Sequence, residues 1–213
     1  MIKYHLTAFF LIFFTVTAAY GEGSQTHGLE VNSLPELGTR SSEDGLEAWD
    51  RIHDVTSHPR CVNCHVGEDN IPVWSGPSYG KSRVHGMAIN ADSSRIGAES
   101  LSCSTCHQTS KLPQTLPHAA PRNGMDWRLA PVEFQWIDRT SSQICQQMRD
   151  PERNGGRDAA GLVEHILHDA ELFGFISWSF APGAGRTPAP GGLQAHLEDM
   201  AIWTAAGMPC PAE

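Results

Sequence analysis

Cys61-Val62-Asn63-Cys64-His65 is one of two C-x-x-C-H pentapeptides in this chain, and Cys103-Ser104-Thr105-Cys106-His107 is the other. This spacing is the signature of c-type haem attachment. Two thiols three positions apart on a helical turn can each bond one vinyl group of a porphyrin, and the adjacent histidine can then present its imidazole to the iron. The sequence therefore predicts two covalent haem c groups. Their attachment residues would be Cys61, Cys64, Cys103 and Cys106, and their proximal ligands His65 and His107.

Two other kinds of site use a C-x-x-C pair. A redox dithiol would need a βαβ setting, which neither motif has. A Cys₂His₂ zinc site would need two further ligands at short spacing, whereas each histidine here directly follows a cysteine. Two copies of the full pentapeptide, in a chain with an export signal, favour haem.

The first residues are typical of an export signal. Lys3 precedes an uncharged apolar run over 6–19, and Ala19-Tyr20-Gly21 offers small residues for cleavage. The run is shorter than the roughly 20 residues that span a bilayer, so residues 1–21 are predicted to be a cleaved signal peptide; an uncleaved anchor is the alternative. We expect a periplasmic protein without a stable membrane span, with a flexible lead-in over 22–40 and one dihaem cytochrome c domain over 41–213.

The charge balance limits the kinds of partner. The chain has 15 Lys and Arg against 24 Asp and Glu, a formal net charge of −9. This acidity argues against nucleic acid as a partner, because a phosphate backbone attracts basic proteins. It is typical of a protein that docks on a basic patch of a redox partner, although plain solubility would also explain it.

Hydrophobic periodicity predicts an all-α fold with long irregular loops, similar to dihaem cytochromes c, and no strand. The loops are predicted over 66–100, 113–131 and 181–192, where Gly, Pro, Ser and Asn are frequent. The helices are predicted at 42–55, from the capping box at 140–143 to Pro151, at 158–173 and at 193–206.

Cys145 and Cys210 lie outside the motifs. Unpaired thiols are rare in an oxidising compartment, so we predict a disulfide between them; two free buried cysteines are the alternative.

The ligand opposite each proximal histidine decides between an electron carrier and an enzyme. His85 is the first candidate, because it lies in a glycine-containing loop between the motifs where a core role is improbable. His168 is the second, because it lies opposite the aliphatic stripe of the helix at 158–173. Solvent exposure is the alternative for both.

Further short pieces accompany the motifs. They are His58-Pro59-Arg60, Trp127-Arg128-Leu129-Ala130-Pro131, Ile144-Cys145, Asp150-Pro151, Asn154-Gly155-Gly156-Arg157, His165 to Asp169, Pro182-Gly183 with Arg186, Pro188, Pro190 and Gly191, then Trp203 and Pro209-Cys210-Pro211. Together they resemble a family of exported dihaem cytochromes found with bacterial molybdenum hydroxylases, known as isoquinoline 1-oxidoreductase subunits. The resemblance implies electron transfer from a periplasmic hydroxylase toward the respiratory chain.

The sequence departs from that family at two places. Asp126 and Arg128 flank Trp127 where the family tends to have a histidine, and Phe134 stands where it tends to have methionine. Neither position can supply an iron ligand here. The main functional hypothesis is a dihaem electron carrier without chemistry of its own. The alternatives are a dihaem peroxidase, with Glu133 or His118 as acid–base residue, and a haem-based ligand sensor.

Overall fold

The computed structural model describes residue 29 and residues 35–75, 82–112 and 114–213. The predicted signal peptide and most of the lead-in lie outside these residues. The described chain is mostly helical with long irregular stretches, as expected. The helices are α1 (Ser42–Thr56), α2 (Pro59–Val62), α3 (Ser141–Arg149), α4 (Pro151–Asn154), α5 (Ala159–Leu172), α6 (Phe175–Phe180) and α7 (Leu193–Ala205). Single 3-10 turns cover Gly86–Ala88, Cys103–Thr105 and Val132–Phe134.

Local capping signals explain where three of the four predicted helices begin. Ser41 caps α1 and Thr140 caps α3, each in a capping box in which the third helical residue bonds back to the cap. The Asp158 side chain accepts a hydrogen bond from the Gly161 amide at the start of α5. A side-chain cap satisfies one of the amides that a helix leaves without a partner at its start. All four helices predicted from sequence are confirmed, with ends within one residue or so.

The main core forms where the apolar faces of α1, α3, α5 and α7 meet. The Trp49 and Trp203 rings are fully buried with centres 5.2 Å apart, and the Trp49 indole N–H donates to Ser141 Oγ at 2.8 Å. Ile52, Val163 and Leu197 are also fully buried. Burying a side chain of this size contributes about 1.5–3 kcal/mol. This core fixes the end of α1, which leads directly into the first motif.

Besides the 3-10 turns, five elements were not predicted: the short helices α2, α4 and α6, and two short strands. β1 (Val73–Trp74) and β2 (Arg83–Val84) pair antiparallel inside the segment that was predicted to be loop. The short helix α6 follows α5 without a side-chain cap of its own at Gly174. Its cap comes from the preceding helix, since Asp169 accepts hydrogen bonds from the Ile176 and Ser177 amides at 3.1 and 2.7 Å.

The predicted disulfide is confirmed. Cys145 and Cys210 are bonded, with their Cα atoms 5.7 Å apart and a separation of 65 along the chain. The bond joins α3 to the segment that follows α7. Within the part of the chain that the structure describes, no helix is long and apolar enough to cross a membrane.

Candidate haem-attachment sites

Both motifs adopt the same local turn. In the first, the His65 amide donates to the Cys61 carbonyl at 3.2 Å, and in the second the His107 amide donates to the Cys103 carbonyl at 2.9 Å. The first motif begins on the last two residues of α2, which His58 caps and Pro59 begins. The second starts on the 3-10 turn Cys103–Thr105. In each, one turn therefore brings the first cysteine close to the histidine, as the attachment chemistry requires.

The two proximal imidazoles are held through the same ring atom. His65 Nδ1 lies 2.8 Å from the Phe134 carbonyl oxygen, and His107 Nδ1 lies 3.1 Å from that of Pro121. A carbonyl only accepts, so Nδ1 carries the proton in both rings and Nε2 keeps its lone pair. Metal-bound histidines are usually fixed in this way, by donation from the other ring nitrogen to a carbonyl or carboxylate.

A tryptophan stacks on each of these imidazoles. The Trp136 and His65 ring centres are 3.6 Å apart with nearly parallel planes, and those of Trp127 and His107 are 4.3 Å apart at 15°. The hydrogen bond at its edge and the indole on its face together restrict each imidazole ring to one orientation. The structure therefore pre-orients both histidines.

Burial keeps these imidazoles neutral and the two thiols of the first motif protonated. It lowers the pKa of His65 and of His107 to about 4, and a neutral imidazole is the form that binds iron. It raises the pKa of Cys61 to about 12 and that of Cys64 to about 11. Reactive dithiols have the opposite perturbation, a lowered thiol pKa. The first motif therefore does not resemble a thiol–disulfide redox centre.

His85 is placed beside the second motif. Its ring centre lies 6.1 Å from that of His107, and its Nδ1 lies 2.9 Å from the Gly86 carbonyl oxygen, which leaves Nε2 free. A metal held between two imidazole nitrogens at about 2 Å each puts the ring centres roughly 6 Å apart, since each centre lies about 1 Å behind its nitrogen. The observed separation fits two histidines that share one iron.

A mainly apolar cavity adjoins this histidine pair. Its empty volume is about 480 Å³, part of it open to solvent. The lining includes both motif cysteines and both histidines, together with Met87 and Trp127. Apolar walls with a few converging polar groups are typical of sites for small ligands and cofactors.

His168 lies elsewhere. Its side chain is 68% exposed on α5, and its Nδ1 is 3.9 Å from the Glu171 carboxylate. The rings against His65 are those of Phe134 and Trp136. His168 as an iron ligand remains a prediction, and its exposed position gives it no support.

The two motifs are close neighbours. The Ala130 amide donates to the Cys64 carbonyl at 3.2 Å, and Leu129 belongs to the small core cluster against which Cys64 packs and also lines the cavity of the second motif. After burial, the nearby Cys103 thiol is the second cause of the raised pKa of Cys64. Two haems bound here would therefore be close together.

Buried hydrogen-bond donors without partners provide a further test of whether these residues fit a haem. Trp136 Nε1, Trp178 Nε1 and Arg186 Nη1 are buried and donate to no atom of the described chain. Buried polar groups normally have partners. Haem brings carboxylate acceptors in its propionates, so these donors are of the kind that haem would satisfy. The donor set, the neutral imidazoles and the apolar cavity all fit haem c.

Sequence reasoning had already named the motif cysteines, the proximal histidines and His85 as candidate site residues. It missed the Phe134 and Pro121 carbonyls and the stacking of Trp136. Any residue can supply a carbonyl, so no sequence signal marks those two positions. Trp127 was noticed only as part of the family resemblance. Within the described residues, no three His, Cys, Asp or Glu side chains converge to hold a metal ion by themselves.

Comparison with known proteins gives no relative. No family model, curated protein or solved structure matches the chain. The function is therefore proposed from the geometry of the two motifs.

Proposed function

We propose that this chain is an exported electron-transfer protein with two covalently bound c-type haems. One observation carries the proposal: both C-x-x-C-H motifs form the same turn, and in each the histidine donates from Nδ1 to a backbone carbonyl and keeps Nε2 for a metal. When bound, the haems would supply one-electron chemistry at iron.

The chain's own residues would hold and orient the two groups. Cys61 and Cys64 would attach the first haem, and Cys103 and Cys106 the second. His65 and His107 would be the proximal ligands, and the 6.1 Å between ring centres supports His85 as the second ligand of the haem at His107. Two histidines on one iron leave no position for substrate, which favours an electron carrier over a catalyst at that site.

The peroxidase alternative gains no support from its acid–base candidates. Glu133 is exposed and directly precedes Phe134, whose carbonyl accepts from His65 Nδ1. Glu133 therefore lies near the ring nitrogen that faces away from the proposed iron position. His118 is also exposed. No specific observation favours the peroxidase or the ligand sensor over the carrier.

The proposal for a redox partner is based on the family resemblance. We propose a molybdenum hydroxylase-type enzyme as electron donor, and the respiratory chain as the destination. The charge is uneven: residues 82–130, around the second motif, hold five Lys and Arg against three Asp and Glu. The acidity that favours a basic partner therefore lies mainly on the helical part.

A haem count with matched cysteine pairs tests this proposal. The purified protein, made in a host that matures c-type cytochromes, should give two haems per chain by pyridine haemochrome. The variants C61A/C64A and C103A/C106A should each retain one, whereas the disulfide pair C145A/C210A should retain both. Fewer than two haems in the unsubstituted chain would overturn the proposal.

A further inference from the structure

Two arginine side chains are buried near each other without an acidic partner. Arg60 is 8% exposed and Arg186 is 9% exposed. Burial lowers the pKa of both guanidinium groups, and for Arg60 the nearby Arg186 charge adds to the effect. Among the described residues, neither has a carboxylate within ion-pair distance. A buried charge is costly unless it is paired, so this arrangement calls for an anion.

Backbone carbonyls use only some of the available donors. Arg60 donates from Nε to the Thr187 carbonyl at 2.8 Å and from Nη1 to that of Ser75 at 3.2 Å. Arg186 donates from Nη2 to the Ala119 carbonyl at 2.6 Å, while its buried Nη1 has no partner. Each guanidinium offers five N–H groups, so most remain available.

A third buried donor lies at the same place. The guanidinium carbon of Arg60 is 5.8 Å from the centre of the Trp178 ring. Trp178 is 6% exposed, and its indole N–H has no acceptor. The two arginines and this indole, which we call the Arg60 cluster, therefore combine positive charge with unsatisfied donors.

The Arg60 cluster lies between the two motifs. Arg60 directly precedes Cys61. The Arg186 charge acts on His107, and Arg186 bonds Ala119, two residues before the Pro121 carbonyl that holds that histidine. The Trp178 ring packs edge-on against Trp127, which stacks on His107. An anion at this cluster would be next to both haem-attachment turns.

We propose that Arg60, Arg186 and the Trp178 indole form a carboxylate-binding site for haem propionates. The inference rests on the proposed function, because it needs the haems to be present. A guanidinium pairs with a carboxylate through two parallel N–H bonds, and such charge-assisted bonds are about twice as strong as neutral ones. The site would hold the propionates ionised and offset their negative charge at the iron.

The reduction potential is the readout that separates this role from a purely structural one. An uncompensated propionate charge stabilises ferric over ferrous iron, so Arg186→Gln and Arg60→Gln should each lower the midpoint potential of at least one haem. We expect a change of about tenfold in the reduction equilibrium, which is about 59 mV for one electron. The propionate bending band in resonance Raman spectra should shift in the same variants.

Matched variants keep the test informative. Arg186→Lys keeps the charge and should recover part of the potential. Arg40→Gln removes an exposed charge just before the first residue of α1. The length of α1, about 20 Å, separates Arg40 from the first motif, so this variant should leave both potentials unchanged. If the glutamine variants fail to mature, Trp178→Phe keeps an aromatic side chain, loses the N–H and should still shift the Raman band.

Three results would overturn the inference. The first is two bound haems with unchanged potentials and Raman bands in the glutamine variants. The second, if the glutamine variants do not mature, is two bound haems with an unchanged Raman band in Trp178→Phe. The third is a shift of the unsubstituted protein's potentials with added inorganic phosphate, which would mean an exchangeable anion at the cluster. The proposed function has its own criterion, since it fails only when the unsubstituted chain binds fewer than two haems.

Discussion

At the residue scale, three histidines share one arrangement. His65, His85 and His107 each have Nδ1 within hydrogen-bond distance of a backbone carbonyl oxygen, so each keeps Nε2 as the free nitrogen. His168 differs, because its Nδ1 faces the Glu171 carboxylate and its side chain is largely exposed. The orientation of the imidazole therefore separates His85 from the other predicted ligand.

His85→Ala should leave the second haem with one protein ligand. We expect a high-spin signal from one of two haems in the ferric spectrum, and carbon monoxide binding at one per chain after reduction. His168→Ala is the control and should keep the unsubstituted protein's spectrum. Two low-spin haems in His85→Ala, with none of the new signals, would contradict the assignment.

His196 should make the fold sensitive to acid. It is 8% exposed on α7, its Nδ1 has no partner, and burial lowers its pKa to about 4. The unfolded chain binds this proton near pH 6.5 and the folded chain only near pH 4, so stability falls as the pH drops between these values. The loss for this one group is about 3 kcal/mol.

Chemical denaturation of the haem-loaded protein at a series of pH values from 7 to 4 would measure this. His196→Phe should lose less stability over that range than the unsubstituted protein. Replacing the exposed His118 by alanine should leave the pH dependence as it was. Equal slopes for His196→Phe and the unsubstituted protein would show that another group is responsible.

At the element scale, the four helices that sequence predicted are the long ones, of 9 to 15 residues, and three of them also have a local side-chain cap. The capping boxes at Ser41 and Thr140 lie within four residues of the helix they begin. The helix α6 has no such signal, because its cap is Asp169 of the preceding helix. The β1–β2 pair is only two residues long on each strand, too short for a period of two to appear.

The same reasoning separates the predictable and unpredictable parts of the site. The C-x-x-C-H spacing is local, so the attachment residues could be read from sequence. The Arg60 cluster depends on residues more than 100 positions apart, which only the fold brings together. Arg60 and Arg186 were noticed only as parts of the family resemblance, which assigned no ligand to either.

Two aspartates allow a matched test of helix capping. Asp169 is 4% exposed and accepts from two amides and the Ser177 hydroxyl, whereas the exposed Asp158 caps α5 through one amide. Asp169→Ala would leave buried donors without acceptors, so we expect it to lower the free energy of unfolding by about 3 kcal/mol. Asp158→Ala should cost about 1 kcal/mol. Urea denaturation would measure both, and similar costs would contradict this account of α6.

At the scale of the whole molecule, the chain has a helical core and an irregular segment. The core is built from α1, α3, α5 and α7, and the Cys145–Cys210 disulfide ties α3 to the end of the chain. The segment between α2 and α3 holds the second motif, His85 and the carbonyls that orient both proximal histidines. The disulfide is therefore separate from the haem-attachment chemistry.

Removing the disulfide should cost stability without loss of haem. The bond closes a loop of 65 positions, for which the chain-entropy model gives about 4 kcal/mol. C145A/C210A should lose about that much free energy of unfolding in urea. Adding a thiol reductant to the unsubstituted protein should have the same effect, because thioether links resist reduction. A loss below about 1 kcal/mol would show that folded-state strain or residual structure in the unfolded chain offsets the gain.

The short distance between the two motifs also affects how many electrons one encounter can move. Cys64 packs against the small core cluster that contains Leu129, and Leu129 lines the cavity of the second motif, so the two haems of the proposed carrier would lie close enough to pass electrons directly to each other. The proposed donor, a hydroxylase-type enzyme, would release electrons in pairs. A carrier with two neighbouring haems could take up both electrons in one encounter, so it would leave no half-reduced donor waiting for a second collision.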